Sequence, residues 1–287
     1  MVETKPPLCI VTGASRGLGR LITIELAAAG VDVLMVGRDP EGLRETAREV
    51  EAISRAPLAA VVCDLTEPGA SETIVAAADA QGGADILINN AAIQGPIGLS
   101  WEADFTAFEE TIHADLLVPV VLCRAVLPGM IARGAGWIVN ISGGGAAAPR
   151  PMFSAYGAAK AALVRFGETL AAEVSGKGVR VNSVAPGAFA SNMTRAILTS
   201  GDVVGESEQQ TAARMLASND AANAVKAAKL VAYLVAGDGR DITGKLISAV
   251  WDPWETLADH AGDLSRTDVY TLRRIVPQDR GFGWGER

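Results

Sequence analysis

The chain has 287 residues, of which 49% are hydrophobic and 20% charged, and its formal net charge is −8. This length fits one large domain or two small ones, and the apolar content excludes a largely disordered chain. The sequence contains no cluster of Lys and Arg, which argues against a nucleic-acid-binding protein.

Apolar runs typical of buried strands alternate with segments of helical periodicity. The predicted strands are Leu8–Val11, Val31–Val36, Leu58–Val62, Asp85–Ile88, Trp137–Ile141, Val179–Val184 and Leu246–Val250. The predicted helices are Gly17–Ala29, Pro40–Ser54, Glu67–Gln81, Phe105–Arg133, Ser154–Val174 and Ala221–Ala236. This alternation predicts the α/β class: a single-domain Rossmann fold, with a doubly wound parallel sheet of about seven strands and helices on both faces.

No linker rich in Pro, Gly or Ser divides the chain, so residues 1–250 are expected to form one domain and residues 251–287 a C-terminal extension. Cys9, Cys63 and Cys123 lie far apart within apolar runs. They indicate buried, reduced thiols in a cytoplasmic protein, and neither disulfides nor metal ligands. The N-terminus has no leader-like apolar stretch, and we expect no apolar run long enough to cross a bilayer.

The first strand runs into a glycine-rich turn, Thr12-Gly13-Ala14-Ser15-Arg16-Gly17-Leu18-Gly19, which opens the first helix. In a Rossmann unit the first glycine allows a sharp turn, the second lets a pyrophosphate approach the backbone, and the third lets the helix pack close to the strand. Free N–H groups at the helix N-terminus then bind the phosphates. The spacing predicts a dinucleotide site; the alternative is an ordinary tight turn.

The end of the second strand carries the residue that separates NAD from NADP in this fold. An acidic residue there binds the ribose 2′-hydroxyl of NAD, whereas Arg38, with help from Arg16, suits the 2′-phosphate of NADP. The sequence thus favours NADP(H) over NAD(H). Asp39 follows at once and keeps NAD(H) open, and a surface ion pair of Arg38 with a carboxylate is the plain alternative.

Tyr156 and Lys160 are one helical turn apart at the start of a long predicted helix, so they share a face. An ammonium beside a phenol lowers the phenol's pKa from about 10, which lets the tyrosine exchange a proton with an alcohol or a carbonyl. Taken alone, this spacing also fits two residues on the exposed surface of a helix. Its position after the fifth strand, at the edge where doubly wound folds bind ligands, favours catalysis.

Five motifs occur together in this order: the glycine turn, Asp64-Leu65, Asn89-Asn90-Ala91-Ala92, Tyr156-x-x-x-Lys160 and Pro186-Gly187. On these motifs the chain resembles the short-chain dehydrogenase/reductase family over about residues 5–250. The resemblance implies a nicotinamide cofactor, hydride transfer, and a homodimer or homotetramer paired through the helices at 105–133 and 154–174.

The resemblance also assigns roles within the cofactor site. Asp64 would contact the adenine end, Asn89 would steady the central strand, and Lys160 would hold the nicotinamide ribose. Pro186-Gly187 would line the nicotinamide site, with Ser191 where the family often has a threonine. The full cofactor-binding set suggested by motif and resemblance is Gly13, Ser15, Arg16, Gly17, Leu18, Gly19, Arg38, Asp64, Leu65, Asn89, Ala91, Tyr156, Lys160, Pro186, Gly187 and Ser191.

Two positions depart from the family pattern. The family usually has a catalytic serine thirteen residues before the tyrosine, and that position is Gly143. Ser142 is expected to replace it, or the backbone N–H groups of the adjacent glycines donate to the substrate oxygen; the alternative is that Ser142 only satisfies local backbone. Asp115 aligns with a family asparagine that holds a water near the lysine. A carboxylate there would hold that water or alter the pH profile.

The sequence therefore predicts an NAD(P)-dependent enzyme that interconverts a secondary alcohol and a ketone, with Tyr156, Lys160, Ser142 and Asp115 as catalytic residues. Family likeness suggests a mobile substrate lid at residues 189–216. The extension is expected to pack on its own domain, to cap the substrate pocket with its aromatic residues, or to dock on a neighbouring subunit. A dinucleotide-binding protein with little or no turnover, and an epimerase-type enzyme on the same scaffold, are the alternatives.

Overall fold

The computed structural model describes residues 5–54, 56–200, 203–218 and 221–284, and it contains one sheet of seven parallel strands. The strands are β1 (Leu8–Thr12), β2 (Asp32–Gly37), β3 (Leu58–Val62), β4 (Ile86–Asn89), β5 (Gly136–Ile141), β6 (Val179–Ala185) and β7 (Leu246–Ser248). Their order across the sheet is β3-β2-β1-β4-β5-β6-β7. The predicted fold class is confirmed.

Helices cover both faces of this sheet. The α-helices of the described residues are α1 (Gly17–Ala28), α2 (Pro40–Glu51), α3 (Ala70–Asp79), α4 (Phe105–Ile112), α5 (Val118–Arg133), α6 (Ser154–Glu173), α7 (Asn192–Thr199), α8 (Glu206–Ser218), α9 (Ala222–Ala236) and α10 (Ala261–Arg266). In β1, Cys9 and Val11 pack towards α1 and α9, while Leu8 and Ile10 pack towards α3 and α5. Strands β1, β2 and β4 are buried along their whole length, which explains their largely apolar sequence, whereas the edge strand β3 is only partly buried.

The predicted elements up to β6 are all present, with ends shifted by a few residues. The sequence did not predict the two helices between β6 and α9, which are α7 and α8. These helices bury few side chains, and they share a small separate cluster in which Ile197, Val204 and Ala212 pack with Phe153. With only eight residues, α7 spans about two turns, and α8 is largely polar, so neither gives a long apolar repeat.

The expectation that no apolar run is long enough to cross a bilayer is wrong for one helical segment. The segment Phe105–Arg133, which joins α4 and α5 through a π-helical turn at His113–Leu117, is long and apolar enough by length and composition to cross a bilayer. Core helices of globular folds pass the same test, and 39% of its most apolar window is buried. Leu122, Val126 and Met130 of α5 pack against the sheet.

The described part of the C-terminal extension packs on its own chain. Trp254, Leu257 and Leu264 join the core cluster beside α9. The buried Lys245 Nζ donates to the carbonyl oxygens of Thr267 and Val269, each at 2.9 Å. Contact of the extension with a second subunit, and a domain boundary at residue 250, stay predictions.

Candidate active site

The candidate site lies at the carboxyl ends of β1 and β4, where the strand order reverses direction. Chains leave neighbouring strands towards opposite faces there and open a crevice, which is where doubly wound sheets bind ligands. The Thr12 hydroxyl ties the two strands together, because it donates to the Ile88 carbonyl oxygen and accepts from the N–H groups of Asn90 and Ala91. The sequence analysis did not single out Thr12 or Asn90 for this role.

The glycine turn has the close packing that its spacing predicts. A Cβ atom on Gly13 would lie 2.9 Å from Asn90 Nδ2, and one on Gly19 would overlap the Gly13 carbonyl oxygen. Ser15 is buried, and its carbonyl oxygen accepts from Arg20 at 2.8 Å. These contacts hold the turn against the start of α1.

The ligand-facing side of the same turn is open. Apart from its chain neighbours and the backbone of α1 itself, no described atom lies within 4 Å of where a Gly17 Cβ would be, and Arg16 is exposed. No described side chain caps α1, and its first turn contains no acidic residue. The N–H groups of Gly17, Leu18 and Gly19 thus open a helix whose positive end has no protein anion, which fits a pyrophosphate.

Arg38 lies at the end of β2 and forms an ion pair with Asp64, Nη1 to Oδ2 at 3.1 Å. Thr66 and then Arg38 hydrogen-bond the Asp64 carboxylate and hold its pKa below the usual range. Asp39 caps α2 by accepting from the Glu41 N–H at 3.1 Å. Arg38 has 65% of its side chain exposed, and both it and the exposed Asp39 already have a partner, so the choice between NADP(H) and NAD(H) stays a prediction.

The other predicted cofactor residues line the edge of the sheet. The buried Asn89 donates through Nδ2 to Asn140 Oδ1 at 2.9 Å and so links β4 to β5. Leu65 packs against the core next to Asp64. Pro186 and Gly187 follow β6, and the Ser191 hydroxyl accepts from the Thr194 N–H at the start of α7.

Tyr156 and Lys160 lie together on α6, with Lys160 Nζ 5.5 Å from the centroid of the Tyr156 ring. Lys160 is buried and donates to the Ile141 carbonyl oxygen at 3.2 Å. The net pKa direction of Tyr156 differs from the sequence prediction. Burial raises the pKa of the phenol, Lys160 and Arg150 lower it, and Asp115 raises it, with a net rise. The ammonium acts as predicted, but desolvation is the larger effect.

Gly143 explains where the tyrosine ring sits. A Cβ atom on Gly143 would lie 2.8 Å from Tyr156 Cε1 and 2.9 Å from Cζ, and closer still to the hydroxyl. The phenol therefore occupies the space that a side chain at position 143 would need. Ser142, the neighbouring residue, is buried, and its hydroxyl has no hydrogen-bond partner among the described residues. This hydroxyl has unused hydrogen-bonding capacity, and its role towards a substrate oxygen stays a prediction.

Asp115 lies in the π-helical turn and is fully buried. Its Oδ1 accepts from the Ile93 N–H at 2.8 Å, and its Oδ2 lies 3.4 Å from Lys160 Nζ. Burial raises the pKa of this carboxyl, while Lys160 and the Ile93 N–H lower it. Asp115 thus belongs to the same cluster as Tyr156 and Lys160.

Arg150 is a site residue that the sequence analysis missed. Its guanidinium lies 3.8 Å from the centroid of the Phe153 ring and pairs with Glu208 through two contacts of 2.9 Å. Glu208 belongs to α8, so the pair joins the segment predicted as a lid to the loop before Tyr156. The two residues are 58 positions apart, and no local pattern signals such a contact.

Comparison with known proteins identifies the family. The family model described as short chain dehydrogenase matches residues 8–201 of this chain. A short chain dehydrogenase of Pseudocercospora fijiensis is 35% identical over 187 residues, or 64% of this chain and 60% of that protein's length. The 3-oxoacyl-acyl-carrier-protein reductase of Escherichia coli is 32% identical over 241 residues and covers 84% of this chain and 94% of its own.

Solved structures agree with this assignment. A variant of actinorhodin polyketide ketoreductase, solved with NADPH, is similar with a TM-score of 0.76 at 28% identity, covering 85% of this chain and 95% of that one. The matched part of the sequence contains the glycine turn, Tyr156 and Lys160. The chain therefore belongs to the short-chain dehydrogenase family of oxidoreductases.

Proposed function

We propose that this protein interconverts a secondary alcohol and a ketone with a nicotinamide dinucleotide, and that Tyr156 is its acid and base. The main support is the partly buried Tyr156, one helical turn from the buried Lys160 and at the same edge of the sheet as the uncapped start of α1. The names of two similar proteins, a 3-oxoacyl reductase and a polyketide ketoreductase solved with NADPH, support a carbonyl substrate.

The residues at the crevice fit the dinucleotide. The glycine turn and α1 would hold the pyrophosphate, Asp64 and Leu65 the adenine end, Asn89 and Ala91 the middle, and Lys160, Pro186, Gly187 and Ser191 the nicotinamide end. When bound, the nicotinamide supplies or accepts the hydride.

The protein's own groups would handle the proton and the substrate oxygen. In reduction, the Tyr156 hydroxyl donates its proton to the ketone oxygen; in oxidation, the phenolate accepts the proton of the alcohol. Lys160 favours the phenolate by its charge. The free Ser142 hydroxyl, or the N–H groups of the glycine run, would donate to the substrate oxygen and hold it at Tyr156.

The test is a binding titration followed by a turnover assay. NADPH and NADH are titrated into the full chain by fluorescence, and a panel of ketones and secondary alcohols is screened by nicotinamide absorbance. Turnover supports the proposal. Tight binding with no turnover on any compound would favour a dinucleotide-binding protein, and a cofactor regenerated in every cycle would favour an epimerase-type enzyme.

We propose NADP(H) as the preferred cofactor, because Arg38 is exposed and can turn from Asp64 to a 2′-phosphate. Arg38→Gln is expected to weaken NADPH binding by about tenfold or more, the value of a charge-assisted hydrogen bond, and to leave NADH binding nearly unchanged. Arg44→Gln, which removes a surface arginine paired with Glu41, is the control. Equal losses for both cofactors, or none, would contradict this preference.

We propose that the protein is cytoplasmic and forms a homodimer or homotetramer through α4, α5 and α6. The helical segment Phe105–Arg133 carries three large apolar side chains that are partly exposed: Phe105 (68%), Leu117 (47%) and Val121 (45%). Val121→Glu is expected to weaken self-association by roughly a hundredfold or more, because a carboxylate would be buried in an apolar contact. Light scattering after size exclusion measures the mass, with Ile53→Glu, at a 57% exposed site, as the control. A monomeric wild-type chain would refute the proposal.

A further inference from the structure

Two charged side chains are buried against each other beside Tyr156. Asp115 and Lys160 are 0% and 2% exposed, and their charged atoms are 3.4 Å apart. Burying two charged groups is costly, and the cost is offset only where additional hydrogen bonds satisfy their atoms. Here the Ile93 N–H binds Asp115 Oδ1, and the Ile141 carbonyl oxygen binds Lys160 Nζ.

The structural contact of Asp115 does not require its charge. The oxygen of an asparagine side chain would accept from the Ile93 N–H equally well. What the carboxylate adds is a negative charge at Oδ2, directed at Lys160. That charge cancels part of the ammonium's field at the tyrosine ring, which is 5.5 Å from Lys160 Nζ.

We propose that the Asp115 carboxylate, through its buried pair with Lys160, offsets part of the ammonium's charge at Tyr156 and so places the pH profile of alcohol oxidation at higher pH than a neutral residue at position 115 would. The inference rests on the proposed function of Tyr156. It names Asp115 as a positioning residue that acts through Lys160, and it adds the pH dependence of this site.

Both cations near the phenol are paired with carboxylates. The charged groups that influence the pKa of Tyr156 are Lys160 on its own helix, Asp115 from the π-helical turn and Arg150 from the preceding loop. Each of the two cations has a carboxylate partner, because Arg150 is paired with Glu208 of α8. With both cations paired, burial dominates and the pKa of Tyr156 lies above its ordinary value.

The consequence for catalysis follows from which form of the phenol is present. A protonated Tyr156 can donate to a ketone oxygen without a prior step, whereas oxidation needs the phenolate. Removing the Asp115 charge leaves the Lys160 ammonium unopposed and stabilises the phenolate. The ionisation of Tyr156 then moves to lower pH, and oxidation gains at neutral pH.

The experiment is an ultraviolet absorbance titration of tyrosine in the full chain without cofactor. Subtracting the Tyr156→Phe variant isolates Tyr156 from Tyr233 and Tyr270. In the wild type, the midpoint is expected above about 10, the value of a free phenol. In Asp115→Asn it is expected about one pH unit or more lower, the shift typical of a nearby charge. Glu110→Gln, an exposed carboxylate on α4, is expected to leave the midpoint unchanged.

Activity supplies the second readout. The pH profile of alcohol oxidation should move to lower pH in Asp115→Asn by the same amount, while Glu110→Gln follows the wild type. A Tyr156 midpoint that is the same in Asp115→Asn as in the wild type overturns the inference. A wild-type midpoint at or below that of a free phenol also overturns it, and this result does not depend on whether Asp115→Asn folds. Absence of turnover in every form would refute the proposed function instead, because the titration needs none.

Discussion

Tyr156→Phe is expected to lower kcat by roughly 10²- to 10⁴-fold in both directions, the range for loss of a positioned acid or base. The change removes only the hydroxyl that exchanges a proton with the substrate oxygen. The ring stays to pack against Gly143, so the fold and the glycine turn keep their contacts. Steady-state nicotinamide absorbance measures kcat, and fluorescence titration checks that NADPH still binds.

The control for this variant is Tyr233→Phe. Tyr233 accepts a hydrogen bond from the Ala258 N–H and packs edge-on against Trp254, away from the crevice. Its loss should cost about 1 kcal/mol of the free energy of unfolding and leave kcat unchanged. If Tyr156→Phe retained wild-type kcat, the tyrosine would not be the acid and base, and the proposed mechanism would be wrong.

Gly143→Ser is expected to lower kcat by roughly a hundredfold or more, although it restores the serine that the family usually has at this position. The reason is steric: the new Cβ would lie 2.8 Å from Tyr156 Cε1 and closer still to the hydroxyl. The ring must move to make room, and a displacement of about 1 Å of a catalytic group costs about that factor. Overpacking should also lower the free energy of unfolding by about 1–3 kcal/mol.

Gly144→Ser is the matched control, because its Cβ would lie 3.5 Å from Arg150 in ordinary contact. Neither glycine has a positive φ, so backbone strain does not separate the two variants. We expect Gly144→Ser to keep most of the activity and the stability. A Gly143→Ser enzyme as fast as the wild type would show that Tyr156 adapts and that serine can take its family role here.

The elements and the principal motifs were predictable because their signals are local. Central strands buried on both faces, such as β1 and β2, read as short apolar runs, and the partly exposed edge strand β3 was also predicted with its observed ends. The glycine spacing in the first turn and the single helical turn between Tyr156 and Lys160 can be counted along the chain. Helices α7 and α8 were missed because α7 has only eight residues and α8 has a largely polar sequence.

The sequence by itself determined the fold class, the glycine turn and the pairing of Tyr156 with Lys160, because each depends on residues a few positions apart. The tertiary structure decided the electrostatics of the site. Asp115 pairs with Lys160, Arg150 with Glu208 and Arg38 with Asp64 across long stretches of sequence. Burial, which no spacing along the chain reveals, raises the pKa of the phenol that the lysine alone would lower.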